Sequence, residues 1–71
     1  MPTIFNEAGF RLITYVHDHG PAHIHVLGHG GAVELFIEAL SLRAVRGPLS
    51  SAQVRKVVQI ARDRQADLLQ A

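Results

Sequence analysis

Apolar and polar residues alternate through the first half of the chain with the period of two that marks a half-buried β-strand. In the first clear run Phe10, Leu12, Thr14 and Val16 share one face, and Arg11, Ile13 and Tyr15 share the other. The run from His23 to Leu27 sets Ile24 and Val26 against His23, His25 and Leu27. A later run sets Val33, Leu35 and Ile37 against Ala32, Glu34, Phe36 and Glu38. Ahead of these, Thr3 to Asn6 is short and β-prone, and Asn6-Glu7-Ala8-Gly9 reads as the turn of a hairpin. A slip of one residue would send a whole apolar set to the wrong side, so aligning the apolar faces sets the register. A five-residue loop, Asp18 to Ala22, then pairs Tyr15 with His25, Val16 with Ile24 and His17 with His23. A four-residue loop, Gly28 to Gly31, pairs His25 with Glu34, Ile24 with Leu35 and Val26 with Val33. This predicts a row of Tyr15, His25 and Glu34 across the polar face, with His23 beside Phe36 in the next row.

The period changes toward the end of the chain. Gly47-Pro48 breaks the backbone, and Ser50 or Ser51 supplies an N-cap, with Gln53 at the capping-box spacing from Ser50. Leu49 and Val54 are placed to staple that helix start. Val54, Val57, Val58, Ala61, Leu68 and Leu69 form an apolar stripe, away from Arg55, Lys56, Arg62, Asp63 and Asp67. The segment from Ala39 to Arg46 reads either as a fifth strand or as a turn of helix. These elements predict an α+β fold: an antiparallel meander of about four strands with one C-terminal helix packed on one face. One domain then spans residues 1–71, with the sheet over 2–38, a connector over 39–49 and the helix over 50–70.

The chain has 71 residues and no cysteine, so a small core is stabilised by packing alone, without a disulfide. A homodimer or a bound partner is the expected remedy. The net charge of +1 is far from the dense positive footprint of non-specific nucleic-acid binders, so RNA is neither announced nor excluded. No apolar run reaches the ~20 residues that span a bilayer, and Met1 to Phe5 carries no basic leader. A cytoplasmic protein without a membrane role is the expectation.

All five histidines fall between His17 and His29. Imidazole is the side chain that titrates near neutral pH and the commonest nitrogen ligand for metals, so chemistry points here first. His23 and His25 stand on one strand face at an i, i+2 spacing, which suits a shared metal. With His19 they are the candidate ligands, and zinc is the metal such a set would take. No cofactor is otherwise expected. The same two residues are the candidate catalytic pair. Glu34 opposite His25 would stabilise an imidazolium, which makes His25 the acid and His23 the base, while Arg11 on the same face could neutralise a phosphate. Phosphodiester cleavage through a ribose 2′-hydroxyl needs that set. Arg11, Tyr15, His19 and Glu34 are the candidate binding residues. Against these readings, histidines are common on solvated sheet faces, and His19-Gly20-Pro21 can simply shape a loop. Gly28-His29-Gly30-Gly31 could cradle an anion through its amides, though a hairpin loop explains it as well. Arg43, Arg46 and the basic helix residues could meet an acidic partner or RNA. Ile13, Tyr15, Leu27 and Phe36 have no helix to cover them and mark a candidate interface.

Four segments in order carry a resemblance: Met1-Pro2-Thr3-Ile4-Phe5, Gly9-Phe10-Arg11, His19-Gly20-Pro21-Ala22-His23-Ile24-His25-Val26, and Arg46-Gly47 ahead of the last helix. The chain resembles a bacterial family of unknown function with an MPTI-F opening and a central HGPPHIHV motif. The motif maps onto His19, Pro21, His23 and His25, leaves His17 and His29 outside, and has Ala22 where a second proline is usual. Family members are described as toxin components of toxin and antitoxin pairs, so the resemblance implies a protein partner encoded nearby. The expected function is therefore a small protein acting through a partner, with the histidine face as its working surface. The alternatives are a histidine-dependent RNase and a metal-binding module.

Overall fold

The computed structural model describes residues 3–15 and 22–70. Five strands, β1 (Thr3–Glu7), β2 (Phe10–Tyr15), β3 (His23–Gly28), β4 (Gly31–Phe36) and β5 (Ser41–Arg46), precede two helices, α1 (Ser51–Asp63) and α2 (Gln65–Gln70). The strands form one open antiparallel sheet in the order β1-β2-β3-β4-β5, a meander in which every chain neighbour is a spatial neighbour.

Turn chemistry explains the tightness of two hairpins. Ala8 and Gly9 join β1 to β2 with φ of 53° and 80°, and His29 and Gly30 join β3 to β4 with φ of 50° and 81°. Positive φ at both central residues gives the turn whose twist matches that of the flanking strands. The β3–β4 connection is thus two residues long rather than four, because Gly28 pairs with Gly31. The expected pairs His25–Glu34, Ile24–Leu35 and Val26–Val33 are all present.

The β2–β3 pairing differs from expectation. Tyr15 faces His23, Thr14 faces Ile24 and Ile13 faces His25, so the register is displaced by two residues and the connection runs over 16–22. A two-residue displacement leaves the parity of every side chain unchanged, so the apolar faces still coincide. The expected pairs made by Val16 and His17 lie outside the described residues.

The strand count is five rather than about four, and the C-terminal helix is two helices rather than one. Of the two readings of residues 39–46 the strand holds: Ser41–Arg46 is a fifth strand, paired with β4, inside the segment expected to connect sheet and helix. The C-terminal helix is divided at Arg64, whose φ of −108° and ψ of 13° leave the helical region. The division is anchored to the sheet. The Gln65 side-chain amide donates to the carbonyls of Ile37 at 2.8 Å and Glu38 at 3.1 Å, and Arg64 Nε donates to Glu7 Oε1 at 2.7 Å.

Helix α1 starts where its cap dictates. Ser50 Oγ accepts from the Gln53 amide, and Gln53 Oε1 accepts from the Ser50 amide, a complete capping box. Val57, Ile60 and Ala61 of α1 and Leu68 of α2 are buried in one cluster with Phe10, Leu12, Ile24, Val26, Val33 and Leu35 of the sheet and Ile37 just after β4. Burying each large aliphatic side chain of this set stabilises the fold by roughly 1.5–3 kcal/mol. Ile60 joins the stripe that the sequence pattern assigned to its neighbours, while Leu69 is exposed. The helices cover one face of the sheet.

Candidate functional site

The uncovered face is built from the alternate residues of the same strands, and register arranges them in rows. Ile13, His25, Glu34 and Ala44 make one row. Tyr15, His23, Phe36 and Ser41 make the next, and Arg11, Leu27, Ala32 and Arg46 make a third on the other side. The expected neighbours His25–Glu34 and His23–Phe36 are therefore in place. Tyr15 sits beside His23 rather than His25.

At the centre, His25 Nε2 lies 3.5 Å from Glu34 Oε1, and the His23 and His25 rings are 5.4 Å apart with their planes inclined at 46°. One ligand atom from each of His23, His25 and Glu34 falls within 4.8 Å of the others. His23 is buried, while His25 and Glu34 are half-buried, so the group is sheltered below and open above.

Two arginines complete the group. Arg43 Nη1 approaches Glu34 Oε1 at 4.0 Å, and Arg46 Nη2 approaches Glu34 Oε2 at 3.8 Å. Residues three apart in a regular strand point to opposite faces. Here Glu34 pairs with Ala44 while Leu35 pairs with Leu42, so Arg43 is the extra residue of a β-bulge, and the bulge turns it to the face that Arg46, opposite Ala32, already shares with Glu34. Each pair is exposed on its arginine side and contributes at most about 1 kcal/mol. Their effect is on charge: two guanidiniums around one carboxylate leave this part of the face with an excess of one positive charge.

The remaining candidates separate. Arg11 is exposed and stands on the same face, in the outer row opposite Leu27. His19, the third residue expected to bind or to ligate a metal, lies outside the described residues. His29 belongs to the scaffold. Its ring packs 4.7 Å from that of Phe10, and its Nε2 lies 3.2 Å from the Ala8 carbonyl oxygen, which ties one hairpin turn to the other. Gly28 to Gly31 is thereby explained as a turn rather than an anion cradle.

Beside the histidine row, Ala22, Phe36, Glu38, Ala39 and Ser41 line a hollow of about 260 Å³. On the helix-bearing side, Leu42, Val54, Arg55, Val58 and Arg62 border a second concavity of about 500 Å³ between β5 and α1. Among the described residues, no helix is long and apolar enough to cross a membrane.

Fold and site define the class: an α+β protein whose helices cover one face of a meander and leave a histidine-bearing face open. The chain belongs to the family described as a domain of unknown function, DUF4160, whose match spans residues 9–71 and so includes His23, His25, Glu34, Arg43 and Arg46. No curated protein and no solved structure matches it.

Proposed function

We propose that the protein acts through a protein partner, as one half of a toxin and antitoxin type pair, and that the open sheet face is the surface it uses. One observation carries this reading: the face without helices holds both the His23, His25 and Glu34 group and exposed apolar residues, Ile4 on the edge strand β1 and Leu27 toward the end of β3. Exposed apolar side chains beside polar groups that can hydrogen-bond are the mixture from which protein interfaces are built. The excess positive charge from Arg43 and Arg46 favours a partner that brings acidic side chains.

Co-expression with the genomic neighbour, followed by pull-down and a growth assay, tests this. Retention of the neighbour by the wild-type chain and its loss with Leu27→Asp is the expected result. Equal retention by Leu27→Asp and a variant of the opposite face, Arg62→Glu, would contradict it.

A second reading is supported by the proximity of His23, His25 and Glu34: a histidine-dependent RNase. One imidazole takes the proton of a ribose 2′-hydroxyl, the other protonates the leaving 5′-oxygen, and an arginine offsets the charge on the phosphorane. His25 beside Glu34 is suited to the acid and His23 to the base. Cleavage of a model RNA by the wild-type chain and not by His25→Ala, at unchanged thermal stability, is the expected signature.

A further inference from the structure

We propose that His23, His25 and Glu34 form a site for a single divalent transition metal of the zinc class, with Arg43 and Arg46 orienting the carboxylate. Two imidazole nitrogens and one carboxylate oxygen are a borderline set of donors. They suit zinc and its neighbours rather than calcium or magnesium, which want oxygen donors throughout.

Geometry agrees with the chemistry. Zinc bonds of roughly 2.0–2.2 Å place two donors of a tetrahedral centre about 3.3 Å apart. His25 Nε2 and Glu34 Oε1 are separated by 3.5 Å, close to that spacing without any movement. The His23 donor lies within 4.8 Å of both, so a modest side-chain rotation brings it into range. All three residues sit on paired strands, two of them on the central strand, so the backbone supplies the preorganisation that a loop would lack.

The arginines bear on this site in a specific way. A metal-bound carboxylate is usually oriented by an outer polar group; here Arg46 Nη2 stands 3.8 Å from Oε2, while His25 Nε2, at 3.5 Å, and Arg43 Nη1, at 4.0 Å, stand nearer Oε1. Glu34 can thus offer Oε1 to the metal beside His25 while Arg46 flanks Oε2 and the long side chain of Arg43 yields its place near Oε1. Two neutral imidazoles, one carboxylate and a divalent ion carry a net positive charge, to which the guanidiniums add. The fourth position, on the open side of the sheet, is therefore suited to an anionic ligand. This site is defined without reference to the partner reading, and its test needs no partner.

The test uses the full, untagged chain freed of metal by chelator dialysis. Calorimetric titration with zinc and optical titration with cobalt(II) should give one ion per chain, with the intense visible bands of a four-coordinate cobalt centre and a raised thermal midpoint. Glu34→Gln and His25→Ala should each weaken zinc binding by about 100-fold or more, at or beyond the loss that follows from removing an outer partner. Arg46→Ala should fall within the outer-partner range, about 10- to 100-fold. His29→Ala should leave affinity unchanged. Thermal unfolding of the metal-free variants separates lost ligands from lost fold. Zinc affinity that survives Glu34→Gln but is lost in His19→Ala would overturn the proposal in favour of capture by loop imidazoles, and absence of stoichiometric binding by the wild-type chain would overturn it outright.

Discussion

The two faces of the sheet are made by the same strands and differ in almost everything else. Under the helices, Leu12, Ile24, Leu35 and Val33 are wholly buried, and among the described residues Thr14 is the one buried polar side chain on this face. On the other side, one residue along each strand, stand Arg11, His25 and Glu34, with Arg46 of β5 on the same face and Arg43 drawn in by a bulge. Parity along the strand therefore divides the packed core from the charged and titratable face. Neighbouring residues in sequence should answer to different assays.

The sharpest test of that division compares Leu35 with Glu34. Leu35→Ala removes a fully buried side chain and should cost roughly 2–5 kcal/mol, read from the urea midpoint. Glu34→Gln breaks only ion pairs with partly exposed partners, each worth at most about 1 kcal/mol, and should cost clearly less than Leu35→Ala. Similar losses at the two positions would break the division.

Gly47→Ala probes a place that belongs to neither face. Gly47 has φ of 86°, and a Cβ there would lie 2.7 Å from the Gly30 oxygen and the Gly31 Cα. Backbone strain alone predicts a loss of about 1–3 kcal/mol in thermal or urea unfolding. A smaller effect is expected where the helical layer meets the edge strand. Arg64 bonds Glu7 at 2.7 Å and places its guanidinium 5.2 Å from the centre of the Phe5 ring. A double-mutant cycle on Glu7 and Arg64 should give a coupling of roughly 0.5–1 kcal/mol. Smallest is Ala8→Gly, which relieves a left-handed alanine at φ of 53° and should stabilise the chain by about 0.5 kcal/mol, after the entropy of the added glycine is subtracted.

These residues also show what a sequence reveals and what it hides. Alternation placed Ile24, Val26, Val33 and Leu35 in the core and paired His25 with Glu34, because a buried face admits only one parity. The capping box at Ser50 was equally legible, since it depends on two residue types at a fixed spacing. The β2–β3 register was not, because a displacement of two residues preserves parity, and only cross-strand contacts distinguish Tyr15–His23 from Tyr15–His25. Arg43 and Arg46 were legible as cations that could meet an acidic partner or RNA, but their place beside Glu34 was not, for a related reason. Their spacing puts them on opposite faces of a regular strand, and a bulge has no strong signature in sequence. Reading 41–46 firmly as a strand, from Leu42, Val45 and the two arginines, would have brought them to the sheet edge but not to Glu34.

Whether the open face is the working surface is tested most directly by amide chemical-shift mapping of the labelled chain, titrated with the protein encoded beside it. The perturbed amides should cluster at Arg11, Ile13, His25, Leu27 and Glu34. Perturbations confined to Val54, Val58, Arg62 and the concavity between β5 and α1 would contradict that role.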